Sequence, residues 1–215
     1  MYNVSSSPHV KAKMTTQGII RYVIIALLPA TVFGIYNYTN LFGMKYGIHS
    51  ALLILYTVAT CVISEFIFNK ITKRPNTVSD LSAIVTGMIL ALNLPCTFPY
   101  WQAMLGGVFA IIVVKQLFGG LGQNFMNPAL GARCFLVLSF AGNMTAFYPA
   151  DVKGVDAATS ATPLTALKNA GESSASLLDM FIGNHSGTIG ETSIIALLIG
   201  AIYLVVRQII DLRIP

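Results

Sequence analysis

The chain has 215 residues, of which 10% are charged and 55% hydrophobic, with a formal net charge of +5 and a mean hydropathy of +0.72. Soluble domains carry roughly 25% charged residues, so a chain of this composition has too little polar surface to stay monomeric in water, and an integral membrane protein is implied. Its basic residues are scattered between apolar runs and form no stripe, which argues against nucleic acid as a partner and suits them to fixing topology in a bilayer.

The first residues, Met1 to Gln17, are polar and include Ser5-Ser-Ser-Pro8-His9. They lack the early apolar core of a cleaved signal peptide, and residues 1–18 read as a cytoplasmic N-terminal segment. A bilayer core takes about 20 mostly apolar helical residues. Ile19–Tyr36 is the first candidate span, with Pro29 as a kink point. Ile48–Phe68 is the second and the cleanest. Leu81–Leu94 is short and ends at Pro95; Trp101–Phe118 follows, then Pro128–Ala141, again short, and finally Ser193–Ile210. Short segments bounded by Pro and Gly fit half-helices or re-entrant pieces, and equally full helices that extend into polar flanks. The expected fold is an all-α polytopic membrane bundle with short and broken helices. Small-residue pairs at Gly106-Gly107 and Gly119-Gly120 are expected to receive partner helices, because small residues permit close approach.

Few ionisable residues fall within these spans. Glu65 is a functional candidate by default, since an acid in a membrane is expensive, and would suit a cation path; its nearness to Lys70 favours an ordinary ion pair or a water-facing end. Asp80 opens the third span, where a carboxylate is favourable and Ser79-Asp80 reads as a cap. Lys115-Gln-Leu-Phe-Gly119-Gly-Leu-Gly122-Gln-Asn124-Phe-Met-Asn127-Pro-Ala-Leu130 is a dense patch whose glycines permit positive φ or close backbone approach. Asn127 suits an N-cap with Pro128 at the first helical position, and a structural turn between spans is the better reading of the patch. Cys61, Cys96 and Cys134 have no C-x-x-C spacing, which argues against an iron–sulfur or zinc site built by this chain alone.

Orientation follows from Lys and Arg. With the N-terminus inside and every segment crossing, all but three of the 13 fall on the inner side: Lys11, Lys13, Arg21, Lys70, Lys73, Arg74, Lys115, Arg133, Arg207 and Arg213. Lys45, Lys153 and Lys168 fall outside. Residues 142–190 then form an extracytoplasmic loop after a first bundle at 19–141, and residues 191–215 begin a further transmembrane segment or second repeat.

That loop contains Asp156-Ala-Ala-Thr159-Ser160-Ala-Thr162-Pro-Leu. Clusters of Ser, Thr, Asp and Pro are usually surface loops. This one resembles the acceptor motif of flavin transferases, Asp-x-x-(Ser/Thr)-(Gly/Ser)-Ala-Thr, in which the final Thr is esterified to the phosphate of FMN. The resemblance implies covalent FMN on Thr162, with Asp156, Thr159 and Ser160 recognised by the transferase.

Other pieces match one family in order: Ser7-Pro8-His9, Ala26-Leu-Leu-Pro-Ala30, Asp80-Leu-Ser-Ala83 with Thr86-Gly87, Leu94-Pro95, Gly119-Gly-Leu-Gly-Gln-Asn124, Asn127-Pro-Ala-Leu130, Thr159-Ser-Ala-Thr162-Pro-Leu and Arg213-Ile-Pro215. Together they resemble the D subunits of Rnf electron-transport complexes, ferredoxin:NAD oxidoreductases coupled to ion pumping, which are related to the B subunit of the sodium-pumping NADH:quinone reductase. The resemblance implies a cell-membrane flavoprotein that relays electrons, coupled to Na+ or H+ transport. It implies other membrane and peripheral subunits as partners, a flavin transferase during maturation, and room for a second, non-covalent flavin. The isolated chain is not expected to be catalytic, having no Rossmann signature. The implied fold resembles one inverted repeat, plus one helix, of a urea-transporter-like fold; family members are usually longer by several spans. The rival readings are a small-solute permease or channel of that fold without cofactor, and a plain structural subunit. The Thr162 loop counts against the permease, which has no need of it, and flavin fluorescence that survives denaturation in a gel would exclude both rivals.

Overall fold

The computed structural model describes residues 15–75, 77–147, 176–183, 185 and 187–211, and every regular element among them is helical. Helix α1 (Thr16–Phe42) starts where the Thr15 side chain accepts from the Gly18 N–H at 3.1 Å. It runs through Pro29, where the Thr31 hydroxyl bonds back to the Leu27 carbonyl at 2.8 Å. Gly43, at φ 94°, closes α1 on the Thr39 carbonyl, and α2 (Met44–Ile71) begins at once. The left-handed φ lets the chain reverse in a single residue. Both helices are long and apolar enough to cross a membrane. At 1.5 Å per residue each runs about 40 Å, beyond the roughly 30 Å hydrocarbon core.

The third span is a half-length piece. A 3₁₀ turn (Val78–Asp80) and Leu81, at φ 61°, precede α3 (Ser82–Leu92). Its 11 residues cover about 16 Å, half of a bilayer core. The expected Ser79-Asp80 cap is not made. Leu81 occupies the cap position with no side-chain bond, because the left-handed residue turns the chain between Asp80 and the helix start. The fourth span is continuous but not uniform. Helix α4 (Tyr100–Phe109) passes into a π-helical stretch (Ala110–Gln116), with Leu117 N–H on the Ile112 carbonyl and Gly120 N–H on the Lys115 carbonyl, both at 3.0 Å. Helix α5 (Pro128–Ser139) has the Asn127 cap and Pro128 start that the sequence indicates. The short α6 (Ala141–Met144) and α7 (Leu177–Ile182) precede α8 (Ile194–Val206), which is capped by Ser193.

Pairwise contacts set the directions. Helix α4 runs parallel to α2, with Tyr100 stacked on His49 at 4.3 Å and Lys115 meeting Glu65. Helix α3 is antiparallel to α2 and packs so close that a Cβ on Gly87 would sit 2.7 Å from the Val58 Cα. Helix α5 returns along α4, with Phe135 stacked on Phe109 at 4.3 Å and Phe140 edge-on to Trp101. Helix α8 lies antiparallel to α1, with Gly200 against the Ala26 carbonyl and Arg207 over Tyr22. Arg21, Lys70, Lys73, Arg74 and Arg207 therefore gather at one end. Lys45 and the Pro95–Pro99 turn lie at the other, and the chain comes back to that second end at Ala146, whose carbonyl accepts from the Thr97 hydroxyl. Lys115 and Arg133 are not at the basic rim to which the sequence assigns them. Lys115 is 1% exposed and Arg133 half-buried, and each finds a partner inside the bundle.

Tyr38, Leu53, Leu90, Leu94, Phe98, Leu136 and Ile189 form the centre of the core. Ile189 arrives on non-helical backbone. Its N–H bonds the Leu94 carbonyl at 3.0 Å, Gly190 N–H bonds the Leu92 carbonyl at 2.8 Å, and the Tyr38 hydroxyl donates to the Gly187 carbonyl. Irregular backbone at membrane depth is tolerated where protein covers it and its polar groups are spent, and here they satisfy the end of α3. Gly106 and Gly107 face neighbours in this chain, Leu136 of α5 and Cys61 of α2, instead of receiving partner helices.

Candidate functional site

At the basic end, α2, α3 and the π-helical stretch converge on one carboxylate. Glu65 is fully buried. Its Oε1 accepts from Lys115 Nζ at 2.8 Å, Thr77 Oγ1 at 2.7 Å and Gln116 Nε2 at 3.0 Å. Lys115 Nζ also donates to Ser82 Oγ at 2.7 Å, and Asn69 Nδ2 to Thr77 Oγ1 at 3.0 Å. The widened π turn lets two consecutive residues, Lys115 and Gln116, reach the same oxygen; such turns recur at functional sites. The partner of Glu65 is Lys115 and not Lys70 as the sequence suggests. Lys70 is exposed and lies five residues on, about 140° further round the helix. Glu65 Oε2 is buried and has no hydrogen-bond partner among the described residues.

Two cavities flank this cluster. One, of about 390 Å³, is lined by Asn69, Thr77, Asp80, Gln116 and Gly120. The other, of about 380 Å³, is lined by Ser82, Thr86, Lys115, Asn124 and Asn127. The glycine-rich patch is the connecting turn that the sequence indicates, and it also lines both cavities. Gly119, Gly120 and Gly122 take φ of 114°, 97° and 86° and fold Asn124 and Asn127 back beside the buried charges. Higher in the bundle, Arg133 NH1 donates to Asn93 Oδ1 at 3.0 Å, and Thr188 Oγ1 to Glu191 Oε2 at 2.7 Å. These four residues border a third cavity of about 340 Å³.

Thr162, Asp156, Thr159 and Ser160 lie outside the described residues. The Glu65–Lys115 pair is not among the sequence expectations, although a signal was present: Ile111-Ile-Val-Val-Lys115 puts a lysine at the end of an apolar run, and a buried charge needs a partner.

The interrupted helices, the lipid-facing apolar surface and the charges held inside define a polytopic membrane protein. Within that class the sequence matches the NQR2, RnfD, RnfE family over residues 3–215, and the chain belongs to it. It is 48% identical, over 99% of its own length, to the D subunit of the Na(+)-translocating ferredoxin:NAD(+) oxidoreductase complex of Acetobacterium woodii. It is 37% identical, over its full length, to the D subunit of the proton-translocating complex of Clostridium ljungdahlii, and 31% identical to that of the ion-translocating oxidoreductase complex of Halorhodospira halophila. The chain spans 64%, 65% and 67% of these relatives' lengths, respectively.

Proposed function

We propose that this chain acts as the D-type membrane component of an ion-translocating ferredoxin:NAD oxidoreductase complex, carrying FMN esterified to Thr162 and relaying electrons in step with Na+ or H+ movement. The observation that carries the reading is the Asp156-x-x-Thr159-Ser160-Ala-Thr162 motif in a chain of this family. Orientation is part of the proposal: the N-terminus is cytoplasmic and residues 142–190 are extracytoplasmic. The emergence of residues 141–147 at the end opposite Arg21, Lys70, Lys73, Arg74 and Arg207 supports it.

Bound flavin supplies the electron transfer; the chain supplies position and electrostatics. A phosphoester on Thr162 fixes the cofactor without depending on binding affinity. Within the bundle, the half-buried Arg133 beside the third cavity gives an acceptor-rich ring a fitting donor. Glu65 is the acid through which an ion path would run: it is desolvated, compensated by Lys115, and retains one unspent oxygen. The natural redox neighbours are the complex's other membrane and peripheral subunits, and a flavin transferase installs the tether.

Replacing Thr162 with Ala is expected to abolish in-gel flavin fluorescence of this subunit while leaving the protein in the membrane. Covalent flavin retained in that variant would overturn the assignment.

A further inference from the structure

Around the buried pair, two side-chain oxygens are buried without a hydrogen-bond partner among the described residues, Glu65 Oε2 and Asn124 Oδ1. Orphaned acceptors are rare in folded proteins, and each calls for an explanation. Lys115 connects them. Its Nζ lies 2.8 Å from Glu65 Oε1 and 2.7 Å from Ser82 Oγ, and it lines the same cavity as Asn124. An ammonium carries three N–H donors, and Glu65 and Ser82 take two of them. Its stem is flexible, unlike the planar fork of an arginine. Lys115 is 1% exposed, so any movement of its charge takes place inside the protein.

Glu65 lines neither of the two cavities beside it, but its hydrogen-bond partners line both. Thr77 and Gln116 border the first, and Lys115 borders the second together with Ser82. The ion pair is thus a partition between two spaces of about 390 and 380 Å³. The first is bordered by Asn69, Thr77, Asp80 and Gln116, whose side chains carry the oxygens that a hard cation takes as ligands. The second is bordered by Ser82 and Asn124, acceptors that suit an ammonium. One side of the partition is therefore closed by a charge on a flexible stem. That stem starts from a π turn, a local distortion that recurs where helices do work.

We propose that Lys115 is a two-position gate for the transported cation. At rest its ammonium neutralises Glu65. When a cation enters from the first cavity and takes Glu65, Lys115 withdraws to Ser82 and Asn124; its return displaces the cation. One positive charge replaces another at the carboxylate, so the buried acid is never left uncompensated, which would be strongly destabilising. Lys115 keeps its proton throughout: Na+ binds the carboxylate as an ion, and H+ binds it as the acid. The cation shifts the equilibrium because it binds only the state in which Lys115 has withdrawn. The inference rests on the ion-translocating reading above and gives Asn124 a role that the reading does not. Glu65 is the binding residue, and Lys115 and Asn124 act through it.

The test uses the whole complex, purified and reconstituted in vesicles of native lipids, with Lys115→Met or Asn124→Leu. Ferredoxin-driven NAD reduction is followed together with uptake of radioactive Na+ and, through an entrapped pH dye, movement of H+. A wild-type complex that moves neither ion refutes the ion-translocating reading itself, before any variant is compared; the ion that it does move identifies the cation. The readout is ions moved per NADH formed, and a parallel assay with an ionophore measures electron transfer free of back-pressure. Lys115→Met is expected to lose ion movement while NAD reduction continues with the ionophore. Asn124→Leu keeps the resting Glu65–Lys115 pair but lacks the second position, and is expected to lower the ratio of ions to NADH. Asn124→Ala serves as the smaller replacement where Leu disturbs the loop. A wild-type ratio in either the Lys115 or the Asn124 variant overturns the gate and leaves Lys115 as a fixed counter-charge. Failure of NAD reduction in the Asn124 variant even with the ionophore also overturns it, since the residue would then serve electron transfer. Should Lys115→Met not assemble, the ratio in the Asn124 variant alone decides.

Discussion

At the scale of single residues, the Glu65–Lys115 pair holds two opposite charges in the interior of the bundle. Removing one partner of a buried pair strands the other charge, at about 3–5 kcal/mol. Lys115→Met is therefore expected to lower the thermal unfolding midpoint of the purified complex sharply. The double variant Glu65→Gln/Lys115→Met is expected to recover most of that loss, because no charge is left unpaired. Equal destabilisation in single and double variants would show that the two residues do not act as a pair. Ion transport gives a second readout: the double variant is expected to fold yet fail to move ions, since the unspent Oε2 of Glu65 goes with the carboxylate. Glu65 was legible in the sequence because an acid in an apolar run stands out. Its partner was not, because Lys115 reads as one more basic residue near a span end. Nothing in the spacing announces the π turn that draws Lys115 and Gln116 inward together.

At the scale of elements, proline and glycine carry most of the legible information. Pro95 and Pro128 marked the half-length third and fifth spans, and Asn127-Pro128 gave the start of α5 to the residue. The extents of α1 and α2 were underestimated, because polar residues at both ends stay helical beyond the apolar run. The entry of residues 187–190 into the core was invisible, since its cause is a long-range need: the carbonyls of Leu92 and Leu94 require donors. Packing at the α2–α3 seam gives a direct test. Gly87→Val would push a side chain into the Val58 backbone. Overpacking of this kind costs about 1–3 kcal/mol, so a lower yield of monodisperse protein is expected. Asn127→Ala removes a cap worth about 1 kcal/mol and is expected to give a smaller fall in unfolding temperature. A tolerated Gly87→Val would mean that the seam is looser than the Gly87–Val58 approach implies.

At the scale of the whole molecule, most of the described basic residues lie at one of the bundle's two ends. The Lys/Arg bias was read from sequence alone, and the described helices bring Arg21, Lys70, Arg74 and Arg207 together while residues 141–147 join Lys45 at the opposite end. A Cys placed at Ala157 is therefore expected to react with an impermeant thiol reagent on intact cells; labelling only after lysis would reverse the orientation and the proposed route of flavin attachment. The central claim is that Thr162 carries the flavin. It is tested most directly by protease digestion of the native protein and mass spectrometry of the peptide containing residues 156–165. The account predicts a peptide heavier by FMN less one water, with fragment ions that localise the addition to Thr162. An unmodified peptide from active complex, or FMN on Thr159 or Thr165, would contradict it.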